Sequence, residues 1–343
     1  MRAILATDTG LIKVVDVVRE KTEDGSAGEE KVAFTTQWGA TQAKSEEIHC
    51  MRAYHGQKDQ VLVGRAGGRV EAINVSTGVK VGSVVDPKAP TKLGDKWVGV
   101  ETAAWAPNRA VGWYTTGRGV VCSFGDDEND VDSKTVVHNG SVVKEFALTT
   151  APIGAFRLHP TAPQAALGGK GVDLRLVEVE NGKQVWTAKN VPNDFLDMPV
   201  PVWVTDLGFL PDDPRRIAVV TGYHQIRVYD VKAQRRPTID FELKQLPHAF
   251  SCIVPSADPN VIALGDTHGN VVEIDLRNKN IKGLYRGIAG SVRSIAYGPD
   301  GKTIVAASLD RFLRVFSTAG PLRKLQHKVH KHTHTHTRAW RRS

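Results

Sequence analysis

A proline-bearing turn between two strand-like runs recurs along this chain and limits the folds open to it. The turns are Ala106-Pro107-Asn108, His159-Pro160-Thr161, Leu210-Pro211-Asp212, Val254-Pro255-Ser256 and Gly298-Pro299-Asp300. Their prolines lie 53, 51, 44 and 44 residues apart. A strand ending follows each of the last four: Leu176-Val-Glu178, Val228-Tyr-Asp230, Glu273-Ile-Asp275 and Val315-Phe-Ser317. A period of about 40–50 residues is the length of one four-stranded propeller blade.

Within each unit the local chemistry agrees. Arg216–Thr221 and Gln225–Asp230 are β-branched runs around Gly222, Val261–Leu264 and Asn270–Asp275 flank Asp266-Thr-His-Gly269, and Thr303–Ala307 and Arg311–Phe316 flank Leu309-Asp310. Each reads as strand, tight turn, strand. Seven such units fit. They centre on Ile4–Asp16, His49–Val85, Trp97–Ala147, Ile153–Trp186, Val202–Leu243, Phe250–Tyr285 and Ser291–Leu325. The expected fold is therefore all-β: a seven-bladed propeller over residues 1–326, with a disordered basic His/Thr-rich tail over 327–343. Arg19–Lys31 and Gly125–Gly140, acidic and without periodicity, are expected to be solvated loops. Asp310 is expected to hold the turn of the last blade.

Composition excludes several classes. No apolar run reaches about 18 residues, and the N-terminus meets charge too early for a signal peptide. Cys50, Cys122 and Cys252 are far apart and form no paired-cysteine zinc motif. So sparse a set suits a reducing compartment. The net charge is +8, yet Arg323, Lys324, Lys328, Lys331, Arg338, Arg341 and Arg342 lie together near the C-terminus without an acid among them. The body is thus close to neutral, and broad nucleic-acid affinity is expected only in this basic tail or in local patches.

Strand parity sorts the connections. In an antiparallel blade the turn between strands two and three shares a face with the link to the next blade. One rim is therefore expected to carry Lys189, Asn190, Asn193, Asp194 and Asp197 from the link after the fourth blade, and Tyr223, His224, Gln225 and Arg227 from the fifth. His268, Arg293 and Arg311 complete it. The proline turns and Gln234-Arg235-Arg236-Pro237 fall on the other face. Such a mixed-charge arc suits protein contacts and a few phosphates, with too few aromatics for base stacking. The competing reading is that the prolines set a turn which Asn193-Asp194 cap. Trp186 and Trp203 are read as packing residues.

No nucleophile elbow, zinc-protease helix or Walker loop occurs. His224 or His268 near Asp206, Asp266 or Asp310 is the only catalytic arrangement to consider, and a non-enzyme without cofactor or metal is expected. The tail's alternating histidines lack a second shell for a physiological metal site.

Three stretches together resemble a known family: Trp186-x-Ala-Lys-Asn-Val-x-Asn-Asp-x-Leu-Asp197, Val-Pro-Val-Trp203 and Thr221-Gly-Tyr-His-Gln-Ile-Arg-Val-Tyr-Asp230. They are similar to the nucleolar WD-repeat factors of large-subunit ribosome assembly. The likeness continues through Gln234–Pro237, Gly265–Gly269, Glu273–Arg277, Gly287–Arg293 and Leu309–Arg311, and covers roughly Leu167 to Val329. It implies a non-catalytic scaffold on pre-60S particles in the nucleolus during pre-rRNA processing. It also implies partnership with a Brix-domain protein, release by an AAA-type ATPase and possible pre-rRNA contact. A WD-repeat substrate receptor, as in a ubiquitin ligase, is the alternative. After about Val329 the chain leaves the family pattern, so a misassigned exon or a truncation is the hypothesis there. If the tail is genuine, ring closure by a terminal strand and ATPase recruitment through the tail both lose the support of the resemblance.

Overall fold

The computed structural model describes residues 2–7, 9–21, 27–39, 46–54, 59–66, 68–85, 97–102, 112–116, 120–124, 142–147, 152–318, 324–328 and 336–340. Their strands form seven four-stranded antiparallel sheets. Six sheets are each built from four consecutive strands. The other is composite: Arg2–Ala6, Ile12–Lys21 and Ala27–Trp38 are completed by His336–Trp340, which pairs with Arg2–Ala6. The architecture is the all-β propeller that the repeat predicts. Its innermost strands are Ile48–Ala53, Trp97–Thr102, Ile153–Leu158, Val204–Phe209, Phe250–Pro255, Val292–Tyr297 and His336–Trp340. Each lies beside the next, and the last returns to the first, enclosing a central channel.

Sandwiching explains the second strand of each blade. Arg216–Thr221, Val261–Asp266 and Thr303–Ser308 are buried along nearly their whole length. Neighbouring blades cover both faces, so the runs are continuously apolar rather than alternating. One core joins Ala218, Val220 and Ile226 to Ile253, Ile262 and Leu264 of the following blade. Another joins Ala3, Leu5 and Val15 to Val305, Leu313 and Val315, tying the last consecutive blade to the composite sheet. Each fully buried Val, Leu or Ile of these cores stabilises by about 1.5–3 kcal/mol. The outermost strand Ile239–Glu242 alternates instead, because one face meets water.

A β-bulge recurs near the start of the innermost strand in all six consecutive sheets, at Ile48/Cys50, Trp97/Gly99, Ile153/Ala155, Val204/Asp206, Phe250/Cys252 and Val292/Ser294. The extra residue bends the strand where it lines the channel.

Three expectations need correction. Much of Arg19–Lys31 is not loop: Ile12–Lys21 and Ala27–Trp38 run on as a long hairpin, with Arg19 opposite Glu30 in register. Ladder bonds are made by the backbone, so acidic composition without periodicity does not preclude a paired hairpin. The tail is not wholly disordered, because His336–Trp340 is a strand, and a boundary at 326 cuts the strand Lys324–Lys328. Beside the edge of Arg2–Ala6, an extended tail segment finds backbone partners that composition alone does not disclose. Arg323, Lys331, Arg341, Arg342, Gly125–Gly140 and the Pro107 turn lie outside the described residues.

Candidate functional site

Links and inner turns share a face, as parity predicts. Backbone N–H groups of the inner turns donate to carbonyls just before the innermost strands: Ala66 to Glu47, Gly222 to Trp203, Thr267 to Ala249 and Leu309 to Ser291, at 2.8, 2.9, 3.0 and 3.0 Å. Side chains at the end of the second strand hold these turns. Thr221 Oγ1 accepts from the N–H of Tyr223 and Gln225, and Asp266 accepts from those of His268 and Asn270.

Asp310 is the most heavily used of these groups. It accepts from Ser308 Oγ, from Ala289 N at 3.0 Å and from Phe312 N at 3.1 Å, and it pairs with the buried Arg314 at 2.6 Å. Burial pushes its carboxyl up, but the bonds from Ser308, Ala289 and Phe312 and the charge of Arg314 outweigh this and hold it below the usual carboxylate range. Gly290 packs against Leu309 and Asp310. The link at 286–291 is thereby pinned to the last turn.

The longer link after Thr187 is built from its own polar side chains. Asn190 Nδ2 donates to Val200 O at 2.6 Å and closes the neck of the excursion. At the tip, Asp194 Oδ1 accepts from Leu196 N and Met198 N, both at 2.9 Å. Asn193 Nδ2 donates to the backbone and side-chain oxygens of Asp197 at 3.0 and 2.8 Å. Asp197 itself sits at φ 58°. Asn193 and Asp194 thus serve the turn, as the capping alternative has it, while remaining solvent-exposed. Trp203 packs edge-on to Tyr223, lies under Lys170 Nζ and covers Gly222, where a Cβ would fall 2.3 Å from the ring. Trp186 meets Tyr229 edge-on. Both tryptophans are packing residues.

Two rim assignments are overturned. Arg227 is only 2 % exposed, and Gln225 is buried as well. Arg227 Nε donates to Asp240 at 3.1 Å and Nη1 to Asn190 Oδ1 at 3.3 Å, so this guanidinium braces the insert from inside. Both residues lie within the strand Gln225–Asp230, which neighbouring blades cover on each face. Gln234–Pro237 is not set apart on the opposite face: Arg235 Nε donates to Thr187 O at 2.8 Å, and Lys189 N to Arg235 O at 2.8 Å. Twist of the outer strands brings the corners of adjacent blades together.

Lys189, His268, Arg293 and Arg311 are exposed, whereas Asn190, Tyr223 and His224 are half-buried. Tail residues Lys324, Lys328 and Arg338 fall on strands. His224 Nε2 lies 3.8 Å from Glu242, and His268 stacks on His248 with ring centroids 3.4 Å apart. Asp206 lies elsewhere, on Arg157, so the catalytic arrangement considered from sequence does not form around it.

Two features escaped sequence reasoning. Inside the channel, Arg52 donates to Glu101 at 3.2 Å, Arg157 lies 3.7 Å from Glu101, and Arg157 donates to Asp206 at 2.8 Å. This ladder of alternating sign spans four blades beside a cavity of about 280 Å³, which His49, Ser251 and Arg293 also line. Arg52, Glu101 and Arg157 each stand two residues after a bulge, so aligning the repeats on the bulge would have found them. Nearby, burial pushes the Cys50 and Cys252 thiols up to about 12, leaving them protonated and inert. On the rim, Phe195, Leu196 and Met198 are exposed beside the polar residues singled out from sequence.

No protein-family model matches the chain. WD repeat-containing protein 74 of Bos taurus and that of Homo sapiens are each 30% identical to it over 336 residues, covering 95% of this chain and 77% of theirs. Ribosome biogenesis protein nsa1 of Schizosaccharomyces pombe is 30% identical over 196 residues, covering 48% of this chain and 50% of its own. With that likeness running nearly end to end through the propeller, the chain belongs to the family of WD repeat-containing protein 74 and the NSA1 proteins.

Proposed function

We propose that this chain is a non-catalytic assembly factor of the large ribosomal subunit, a rigid seven-bladed ring that holds other factors on pre-60S particles in the nucleolus. In this reading the composite sheet counts as the seventh blade. The observation that carries the proposal is the likeness over 95% of the chain to WD repeat-containing protein 74, together with fungal relatives named as ribosome biogenesis proteins. The physical support is a scaffold whose polar side chains are mostly engaged in holding turns, with charges left over on one rim. A Brix-domain protein is the proposed neighbour, an AAA-type ATPase the agent of release, and pre-rRNA a further contact for the rim cations or the tail.

Lys189, Arg293 and Arg311 are among the exposed cations of the rim. Sedimentation of extracts from cells expressing the tagged full chain tests the function. Wild type is expected to migrate with pre-60S particles, and Lys189→Glu with Arg293→Glu to loosen that association in a salt-dependent way without altering thermal unfolding. Migration only with free protein would refute the assignment.

A further inference from the structure

The excursion's neck and tip are fixed by hydrogen bonds, yet its outermost side chains are apolar. Phe195 is 93 % exposed, Leu196 66 % and Met198 59 %. Among the described residues Phe195 is the most exposed large hydrophobic side chain, and the three lie within four positions of one another. None of them is needed to make the turn. Asp194 and Asn193 do that, with Asp194 N donating to Met198 O at 3.0 Å and Asp197 N to Asp194 O at 3.0 Å. Asn190 closes the base, and buried Arg227 holds Asn190 from behind. A loop built only to connect two blades gains nothing by holding a phenyl ring in water. A preorganised loop carrying an aromatic anchor loses little entropy when it docks.

We propose that Phe195, Leu196 and Met198 form a plug that enters a pocket of a partner protein, one with an apolar floor and a basic rim. The proposal rests on the assembly-factor reading and names the contact within it. The floor follows from the three side chains. The rim follows from Asp194, which precedes the plug, and Asp197, which lies between Leu196 and Met198; both bond only to amide groups of the insert, with no cation beside them among the described residues. The same carboxylates argue against two other occupants. A second copy docking about a two-fold axis would bring like charges together. An anionic membrane surface would repel them.

The test replaces Phe195 with the photo-crosslinker p-benzoylphenylalanine in the full chain and irradiates it bound to pre-60S particles isolated by sedimentation. The expected product is a cross-link to a protein segment whose apolar residues are flanked by Lys and Arg. In parallel, Phe195→Ser with Met198→Ser is expected to lower retention on those particles by about tenfold or more, as for a truncated anchor, with thermal unfolding unchanged. Undiminished retention, cross-linking to RNA, binding of phosphatidylserine vesicles through Phe195, or a dimer that the double variant abolishes would each overturn the plug. If Lys189→Glu with Arg293→Glu releases the particle while the serine variant stays bound, only the plug falls. If wild type never binds the particle, the assembly-factor reading falls and takes the plug with it.

Discussion

The links that follow Thr187 and Tyr285 join consecutive blades on the same face, and they use polar chemistry to opposite ends. The short link hands a backbone N–H to Asp310, whose carboxylate also holds the last turn and neutralises buried Arg314. The link's Ser291 carbonyl also accepts from Leu309 N, so these bonds tie it to the ring. The long link spends its amides and carboxylates on itself, at Asn190, Asn193 and Asp194, and is joined to the ring through Arg227 and Arg235. What remains at its tip is apolar and outside. Density of hydrogen bonds alone therefore does not tell a stabilising loop from a recognition loop. What faces outward once the bonds are made does.

Substitutions at matched positions can break this contrast. Asp310→Ala should be the most damaging, because it leaves Arg314 buried without its anion; a cost of about 3–5 kcal/mol is expected from chemical denaturation. Acid should act through the same group. A carboxyl held below its ordinary 3.8 contributes stability that is complete above that value and lost as pH falls through the lower folded value. The stability gap between wild type and Asp310→Asn should accordingly narrow below about pH 4, and a gap independent of pH would remove Asp310 from this role. Asp194→Ala, which deletes two backbone-to-carboxylate bonds at an exposed tip, should cost about 1 kcal/mol or less. Its signature would be faster amide exchange at Leu196 and Met198 rather than a lower midpoint. Phe195→Ser should leave stability within about 0.5 kcal/mol; a larger loss would mean that the tip is structural and the two links are alike.

Much of the ring was legible beforehand, because sandwiched second strands write continuous apolar runs and proline marks one face of every later blade. Asp310 was legible for the same reason, as an acid placed in a turn between two such runs. Arg227 was misjudged although its position carried the answer: it is the third residue of a strand covered on both sides, and strand interiors do not reach a rim. Phe195 and its neighbours were passed over because the rim was sought among polar side chains, and only solvent exposure tells an apolar residue on display from one that packs. The channel ladder depends on which residues of separate blades stand side by side. A bulge sets that offset, and no single repeat reveals it.

The composite sheet also bears on how the molecule is made. Its first three strands precede the six consecutive blades in the sequence, whereas the fourth, His336–Trp340, follows all of them. Until that strand has docked, Arg2–Ala6 presents an open backbone edge, the kind that recruits foreign strands. Docking of His336–Trp340, rather than folding of any one blade, is the event that closes this edge.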